Sequence, residues 1–426
     1  MAALDSLMRR QTVDGEEVYG YRWVILALIC LAVVAVNSST FIFAGMAGIL
    51  LDPDGAWALG SQQFVALTSC SNLTGFLFCI VTGTLADRLG TKPVLVAGLA
   101  VSALGAVARV FWGGFVGMFA TSVIFGFGIA ALNANSAKII RQWFPRKMVG
   151  FAMGLYFFCA NVGCAIAIPA AGLASDPRQA FAVVAALSLV TLALWAVLYR
   201  KHPQNERRIV EPVMSHLGVV VKSRYLWAAC AVIGFAMAGN AVNNGYIVAA
   251  LSSDVSVSGK GLDYGLATLI ASLSNIACSL GTLVFPSICS RTHHEKRWLV
   301  GLAGTVALLV GFYWFLLDGV EISVGILLAY LLIGGVLPLA KALPAQLPDI
   351  SPEHLGAAGG LQSTVQNAAA FLIPTYVVAP LCGLNYDLLN GVSFMALYLL
   401  AAVSACLLPR LVTGGAKGTA KGEEQE

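Results

Sequence analysis

Charged residues are scarce in this 426-residue sequence: lysine, arginine, aspartate and glutamate together make up 11%. Soluble globular domains contain about 25% of these residues. Hydrophobic residues make up 58%, and the mean hydropathy is +0.83. This balance excludes a disordered chain, a nucleic-acid-binding domain and an ordinary cytosolic enzyme. The composition predicts an all-α integral membrane protein that lies in a lipid bilayer.

Residues for metal, cofactor or catalytic chemistry are also missing from the apolar runs. All five histidines lie in polar segments, and the ten cysteines lie in or at the end of apolar runs without metal-ligand spacing. No nucleotide-binding motif is present, and residues 1–21 contain no cleavable signal peptide. We therefore expect that the protein is not an enzyme and that it has no cofactor, metal site or nucleic-acid partner. We also expect that ATP hydrolysis does not drive it.

Twelve apolar runs are long enough to cross a bilayer as helices. Their approximate bounds are 22–50, 62–86, 93–112, 114–140, 149–172, 178–199, 225–250, 264–289, 297–317, 320–346, 356–382 and 388–411. The longest polar break divides them six and six. The predicted units are an N-terminal tail 1–21, a bundle 22–199, a linker 200–224, a second bundle 225–411 and a disordered tail 412–426.

Lysine and arginine concentrate on one side of this topology. Only Arg109, Arg178 and Lys260 fall on the other side, whose breaks carry acidic residues instead. By the positive-inside rule, both termini and the linker are predicted to be cytoplasmic. The compact loops and the lack of a targeting segment favour a bacterial inner membrane, and we expect a monomer.

The two halves repeat weakly. Four polar pairs recur at offsets of 203 to 208 residues, namely Asn37 with Asn240, Asn72 with Asn275, Asn161 with Asn367, and Asn133 with Lys341. Gly126 and Gly334 recur at the largest of these offsets. Such repeats are typical of membrane carriers, which bind their substrates near the midplane between the halves.

An unpartnered amide in hydrocarbon is costly, so these side chains are expected to face a wet cavity. The alternative is that each asparagine forms a hydrogen bond that holds two helices together. The residues predicted to contact the transported molecule are Asn37, Asn72, Asn133, Asn161, Asn240, Asn243, Asn275, Lys341, Gln366 and Asn367.

Lys341 follows Gly334, Gly335 and Pro338, which can bend or unwind a helix. No Asp, Glu or His lies in the core of a predicted membrane-spanning helix. The positive charge of Lys341 therefore favours an anionic substrate. Alternatively, Lys341 snorkels to the interface.

Residues 83–92 read GTLADRLGTK, which resembles the G-x-L-x-D-R-x-G-x-K/R loop of the major facilitator superfamily. The resemblance implies two pseudo-symmetric six-helix bundles that work by alternating access. It also implies a gate, in which Asp87 pairs with a basic residue such as Arg141. The gating residues are then Gly83, Asp87, Arg88, Gly90, Lys92 and Arg141. The alternative is a charge cluster that only sets topology.

Residues 141–155, RQWFPRKMVGFAMGL, are similar to the nitrate/nitrite and organic-anion branches of that superfamily. The nitrate branch also has arginines within helices 2 and 8, and this sequence lacks them. The predicted function is uniport or exchange of a small polar solute, an organic anion such as a carboxylate. Nitrate/nitrite transport is the first alternative, a transporter-like membrane sensor is the second, and a proton-driven efflux pump ranks lower.

Overall fold

The computed structural model describes residues 10–13, 16–55, 57–174, 176–200, 218, 220–292, 294–350 and 355–409. Nearly all of these residues are helical. Most of the predicted linker 200–224 and the whole predicted tail 412–426 lie outside the described residues.

Six spans form the first bundle, and the second of them has two segments. They are α1 (Arg22–Gly45), α2 (Ser61–Thr68 and Cys70–Leu89), α3 (Thr91–Phe111), α4 (Gly114–Trp143), α5 (Arg146–Gly172) and α6 (Pro177–Leu198). A short helix, Ala47–Leu50, follows α1.

The second bundle repeats this order. Its spans are α7 (Arg224–Ser252), α8 (Tyr264–Thr292), α9 (Glu295–Leu316), α10 (Ile322–Ala342), α11 (Leu355–Leu372, continued by Ile373–Val378 and Ala379–Cys382) and α12 (Asp387–Ser393 and Phe394–Cys406). In the described part of the chain, eleven helices are long and apolar enough to cross a membrane, and α2 contributes a shorter apolar stretch, Cys70–Cys79. The prediction of a twelve-span, two-bundle membrane fold is confirmed.

Local sequence explains where several helices break. Gly90 separates α2 from α3 with φ +92°, a conformation that glycine adopts without the steric cost paid by other residues. The middle segment of α11 and the first segment of α12 are π-helical turns, a form that often occurs at functional sites. Pro374 lies in the α11 turn, where its ring cannot supply a backbone N–H.

Glycines let neighbouring helices of one bundle pack closely against each other. A Cβ at Gly334 of α10 would lie 2.1 Å from the carbonyl oxygen of Cys278 on α8. A Cβ at Gly126 of α4 would lie 2.1 Å from Oγ1 of Thr74 on α2. The recurrence of Gly126 and Gly334 therefore has a steric cause, because equivalent helix pairs cross closely in both bundles.

The N-terminal segment contains a small antiparallel hairpin that the sequence did not suggest. Its strands are β1 (Arg10–Val13) and β2 (Glu16–Tyr19). Tyr19 is buried and packs edge-on against Trp143 at the end of α4, with ring centroids 6.4 Å apart. Part of the predicted tail is thus attached to the first bundle.

Candidate substrate-binding site

Hydrogen bonds join the two bundles at one end of the molecule. We call this the far end, and the opposite end, which carries Arg88 to Lys92, the motif end. The Tyr246 hydroxyl of α7 donates to the carbonyl oxygen of Ser61 at 2.6 Å, and the Tyr246 ring lies 5.6 Å from that of Phe64. The Tyr264 hydroxyl of α8 donates to the carbonyl oxygen of Gly45. These contacts join α1 and α2 to α7 and α8.

Behind these contacts, a cavity of about 510 Å³ lies between the bundles. Both bundles line it, and all four repeat-related polar pairs reach it. Of the predicted contact residues, those that line the cavity are Asn37, Asn72, Asn133, Asn161, Asn240, Asn275, Lys341, Gln366 and Asn367. The amides therefore share one vestibule.

Asn243 is different and does not belong among the cavity-lining residues. Its side chain is fully buried behind the cavity wall. Its Nδ2 donates to the Tyr330 hydroxyl at 2.8 Å, and its Oδ1 accepts from Asn390 Nδ2 at 2.7 Å. Asn243 therefore forms hydrogen bonds between helices, which is the alternative to a contact with the transported molecule.

In the first bundle, two of these amides use one of their polar atoms in a hydrogen bond within the protein. Asn37 Nδ2 donates to the carbonyl oxygen of Val33 at 2.9 Å, which leaves Asn37 Oδ1 as a free acceptor. The Tyr156 hydroxyl donates to Asn133 Oδ1 at 2.8 Å, which leaves the Asn133 amide nitrogen as a donor. The first bundle thus offers the cavity both an acceptor and a donor.

Three lining amides, Asn72, Asn161 and Asn367, form no side-chain hydrogen bond with any residue that the structure describes. Asn367 lies against Gly75, where a Cβ would come within 2.8 Å of its Nδ2. These amides can hydrogen-bond to water or to a bound solute, since an amide without a partner is costly in a dry site.

Lys341 is the only charged residue among the described residues that line the cavity. Its Nζ donates to Ser363 Oγ at 2.7 Å and to Gln366 Oε1 at 2.9 Å, both on α11. An ammonium group carries three donors, so one remains for a ligand. The two neutral acceptors orient the ammonium without neutralising its charge.

Several lining residues were not among the predicted contacts. They are Thr40, Thr68, Ser71, Asn244, Thr282 and Tyr330. Asn243 and Asn244 follow Asn240 by three and four residues, so helix periodicity places both on its face and does not choose between them. Thr40 and Ser71 hydrogen-bond to each other at 2.7 Å across α1 and α2, a contact that sequence patterns do not reveal.

Arg109 of α3 is buried outside the cavity. Its guanidinium donates to the carbonyl oxygen and hydroxyl of Ser39 and to the hydroxyl of Ser122, each at 3.0 Å. It also lies over the Phe43 ring, 4.9 Å from the centroid. This cation therefore links α1, α3 and α4 within one bundle.

The predicted gate is described only in part. Gly90 forms the turn noted above, Gly83 is half-buried with Ala134 nearby, and Arg88 is exposed. The side chains of Asp87 and Arg141 lie outside the described residues, so their pairing stays a prediction.

Lys92 binds within its own bundle. Its Nζ donates to the carbonyl oxygen of Tyr199 at the end of α6, at 2.7 Å. In the second bundle, Lys296 Nζ donates in the same manner to the carbonyl oxygen of Cys406 at the end of α12, at 2.9 Å. A cation at a helix C-terminus is stabilised by the helix dipole and by the free carbonyls. Both lysines therefore fasten the last helix of a bundle to its third helix.

The sequence profile of the Major Facilitator Superfamily matches residues 27–374. The chain belongs to this family. The hexuronate transporter of Bacillus subtilis (strain 168) is 28% identical over 152 residues, which cover 34% of this chain and 36% of that protein. The hexuronate transporter of Escherichia coli (strain K12) is 24% identical over 198 residues, or 46% of this chain and 45% of that protein. This chain thus matches less than half the length of either relative.

Among solved structures, a D-xylose–proton symporter has the same fold, with a TM-score of 0.69 and 14% identity. The match covers 92% of this chain and 98% of that one. The expectation of a multi-pass membrane protein of the major facilitator type is confirmed. The residues that carry the resemblance, Gly83 to Lys92, lie within the matched region.

Proposed function

We propose that this protein carries small organic anions of the sugar-acid class, by uniport or exchange, through alternating access. The observation that carries the proposal is the ammonium of Lys341, because every other described residue that lines the cavity is neutral. One carboxylate balances one ammonium that faces the cavity, whereas a neutral sugar would leave that charge uncompensated. The many amides suit the hydroxyl groups of a polyol.

The relatives support the same substrate class, because their names describe transporters of hexuronates. Nitrate is less favoured, since it would leave most of the amides without partners and none of the described lining residues is an arginine. We further propose that the motif end faces the cytoplasm of a bacterial inner membrane and that the carrier is a monomer. The lysine and arginine distribution supports this orientation.

Purified protein in proteoliposomes provides the test. Liposomes loaded with unlabelled galacturonate should take up external labelled galacturonate, and external glucuronate should compete, while glucose and nitrate should not. Competition by nitrate alone would support the inorganic-anion alternative. Saturable binding without any flux would support the membrane-sensor alternative.

The far-end hydrogen bonds offer a separate test of alternating access. We expect the double variant Tyr246→Phe, Tyr264→Phe to close its far end less firmly, because it loses two hydrogen bonds between the bundles. Each bond contributes about 1 kcal/mol, so the loss of both should raise the ratio of open to closed molecules by roughly thirtyfold. Hydrogen–deuterium exchange should become faster in residues 45–55 and 253–264.

Tyr313→Phe is the matched control for this variant. Tyr313 is also buried, and its hydroxyl has no hydrogen-bond partner among the described residues. Its removal should leave far-end exchange unchanged. Equal exchange in the parent and the double variant would show that these tyrosines do not hold the bundles together.

A further inference from the structure

A continuous chain of five polar side chains runs from the cavity into the core of the second bundle. In order from the core, its members are Asn390 on α12, Asn243 on α7, Tyr330 on α10, and Asn244 and Asn240 on α7. The four hydrogen bonds measure 2.7, 2.8, 2.9 and 2.9 Å. Only Tyr330, Asn244 and Asn240 line the cavity.

Every donor in this chain points toward the cavity. Asn390 Nδ2 donates to Asn243, whose own Nδ2 donates to the Tyr330 oxygen. A phenol has one hydrogen, and Tyr330 gives it to Asn244 Oδ1. Asn244 Nδ2 then donates to Asn240 Oδ1. Asn240 Oδ1 therefore already accepts a hydrogen bond within the protein, and the two N–H groups of Asn240 remain as donors for the cavity.

The buried end of the chain favours this direction over its reverse. Asn390 is fully buried, and its Oδ1 has no partner among the described residues. If all the bonds were reversed, the Asn390 amide nitrogen would be left without an acceptor instead. Buried donors without partners are rarer in proteins than under-satisfied carbonyl oxygens. The polarity of the chain is thus set at a position remote from the cavity.

The repeat-related amide in the first bundle has the opposite polarity. Asn37 uses its Nδ2 on the carbonyl oxygen of Val33 and presents its oxygen. Asn240 presents its nitrogen. Two residues that the repeat makes equivalent therefore offer complementary groups, an acceptor on α1 and a donor on α7.

We propose that Asn390, Asn243 and Tyr330 are positioning residues that fix the Asn240 amide as a hydrogen-bond donor to the substrate. This inference rests on the proposed function and adds the orientation in which the substrate binds. An oxygen of the polyol accepts from Asn240, while a hydroxyl hydrogen of the same molecule binds Asn37 Oδ1. The site thereby selects one placement of hydroxyl groups along the sugar acid.

Deoxy and deoxyfluoro analogues of galacturonate test the polarity, because fluorine can only accept a hydrogen bond and hydrogen can do neither. For the parent, we expect one ring position at which the deoxy analogue binds about three- to tenfold more weakly, with partial recovery by the fluoro analogue. In Tyr330→Phe and Asn390→Leu, the deoxy penalty at that position should fall below twofold. Discrimination between galacturonate and galactose, which depends on Lys341, should persist in both variants.

Asn390→Leu matters most, because Asn390 does not line the cavity and cannot touch the substrate. Tyr398→Phe is the control, since that buried hydroxyl has no partner among the described residues, and it should keep the parent pattern. Unchanged analogue selectivity in Asn390→Leu and Tyr330→Phe would overturn the inference alone, as would an equal loss of affinity for every analogue. A parent that binds no sugar acid would overturn the proposed function and this inference together.

Discussion

Replacing Lys341 with glutamine is expected to lower galacturonate uptake by roughly ten- to a hundredfold at substrate concentrations well below the KM of the parent. Glutamine keeps hydrogen-bonding capacity but removes the only charge among the described cavity-lining residues. Hydrogen bonds to charged groups contribute about 1.5–3 kcal/mol, so affinity should fall by roughly ten- to a hundredfold. Equilibrium binding and proteoliposome uptake measure both effects.

The same variant should remain folded. Lys341 makes its described bonds only to neutral groups, Ser363 and Gln366, so its removal leaves no opposite charge unpaired. Its melting temperature should therefore equal or exceed that of the parent. Lys260→Gln is the control, because Lys260 lies at the far end beside Asp318 and outside the cavity, and it should transport normally. A Lys341→Gln protein with parental uptake would refute the anion assignment.

Adding one methyl group at Gly334 should strongly destabilise the second bundle. The Cβ of Gly334→Ala would lie 2.1 Å from the Cys278 carbonyl oxygen and 2.8 Å from the Gly281 Cα, both backbone atoms of α8. Neither can move without separating α8 from α10. Overpacking of this kind typically costs about 1–3 kcal/mol, and the rigid backbone contact places the expected loss at the upper end. Thermal unfolding monitored by size-exclusion chromatography should show it.

Gly301→Ala makes the same substitution in α9, where nothing lies within 4 Å of the added Cβ. Alanine has the higher helix propensity, so this variant should be as stable as the parent or more stable by up to about 1 kcal/mol. Equal melting temperatures of Gly334→Ala and Gly301→Ala would show that the close crossing of α8 and α10 does not contribute to stability as described.

Much of the architecture follows from the sequence because the bilayer leaves few choices. Apolar runs of sufficient length must be helices, so the twelve spans and their six-plus-six division can be derived. Costly amides must face water or each other, which predicted that Asn37, Asn72 and their repeat mates would share a cavity. The family resemblance of residues 83–92 added the two-bundle arrangement.

The details that sequence could not supply depend on helix rotation and on partners distant in the chain. Asn243 and Asn244 are adjacent, yet one lies behind the wall and the other in the cavity. Both hydrogen-bond to Tyr330, which lies 86 residues away from Asn244. Lys92 fitted a gating motif, but its bond to Tyr199 depends on how α3 packs beside the end of α6. No local pattern encodes such contacts.

The lysine contacts at the ends of α6 and α12 also determine which deformations are easy. Because Lys92 and Lys296 fasten the final helix of each half to an earlier one, twisting within a half must break charge-assisted bonds. Rotation of one half against the other breaks neither of them. Rigid-body rocking of the two halves therefore leaves both lysine bonds intact, and each copy of the repeat contains one of them.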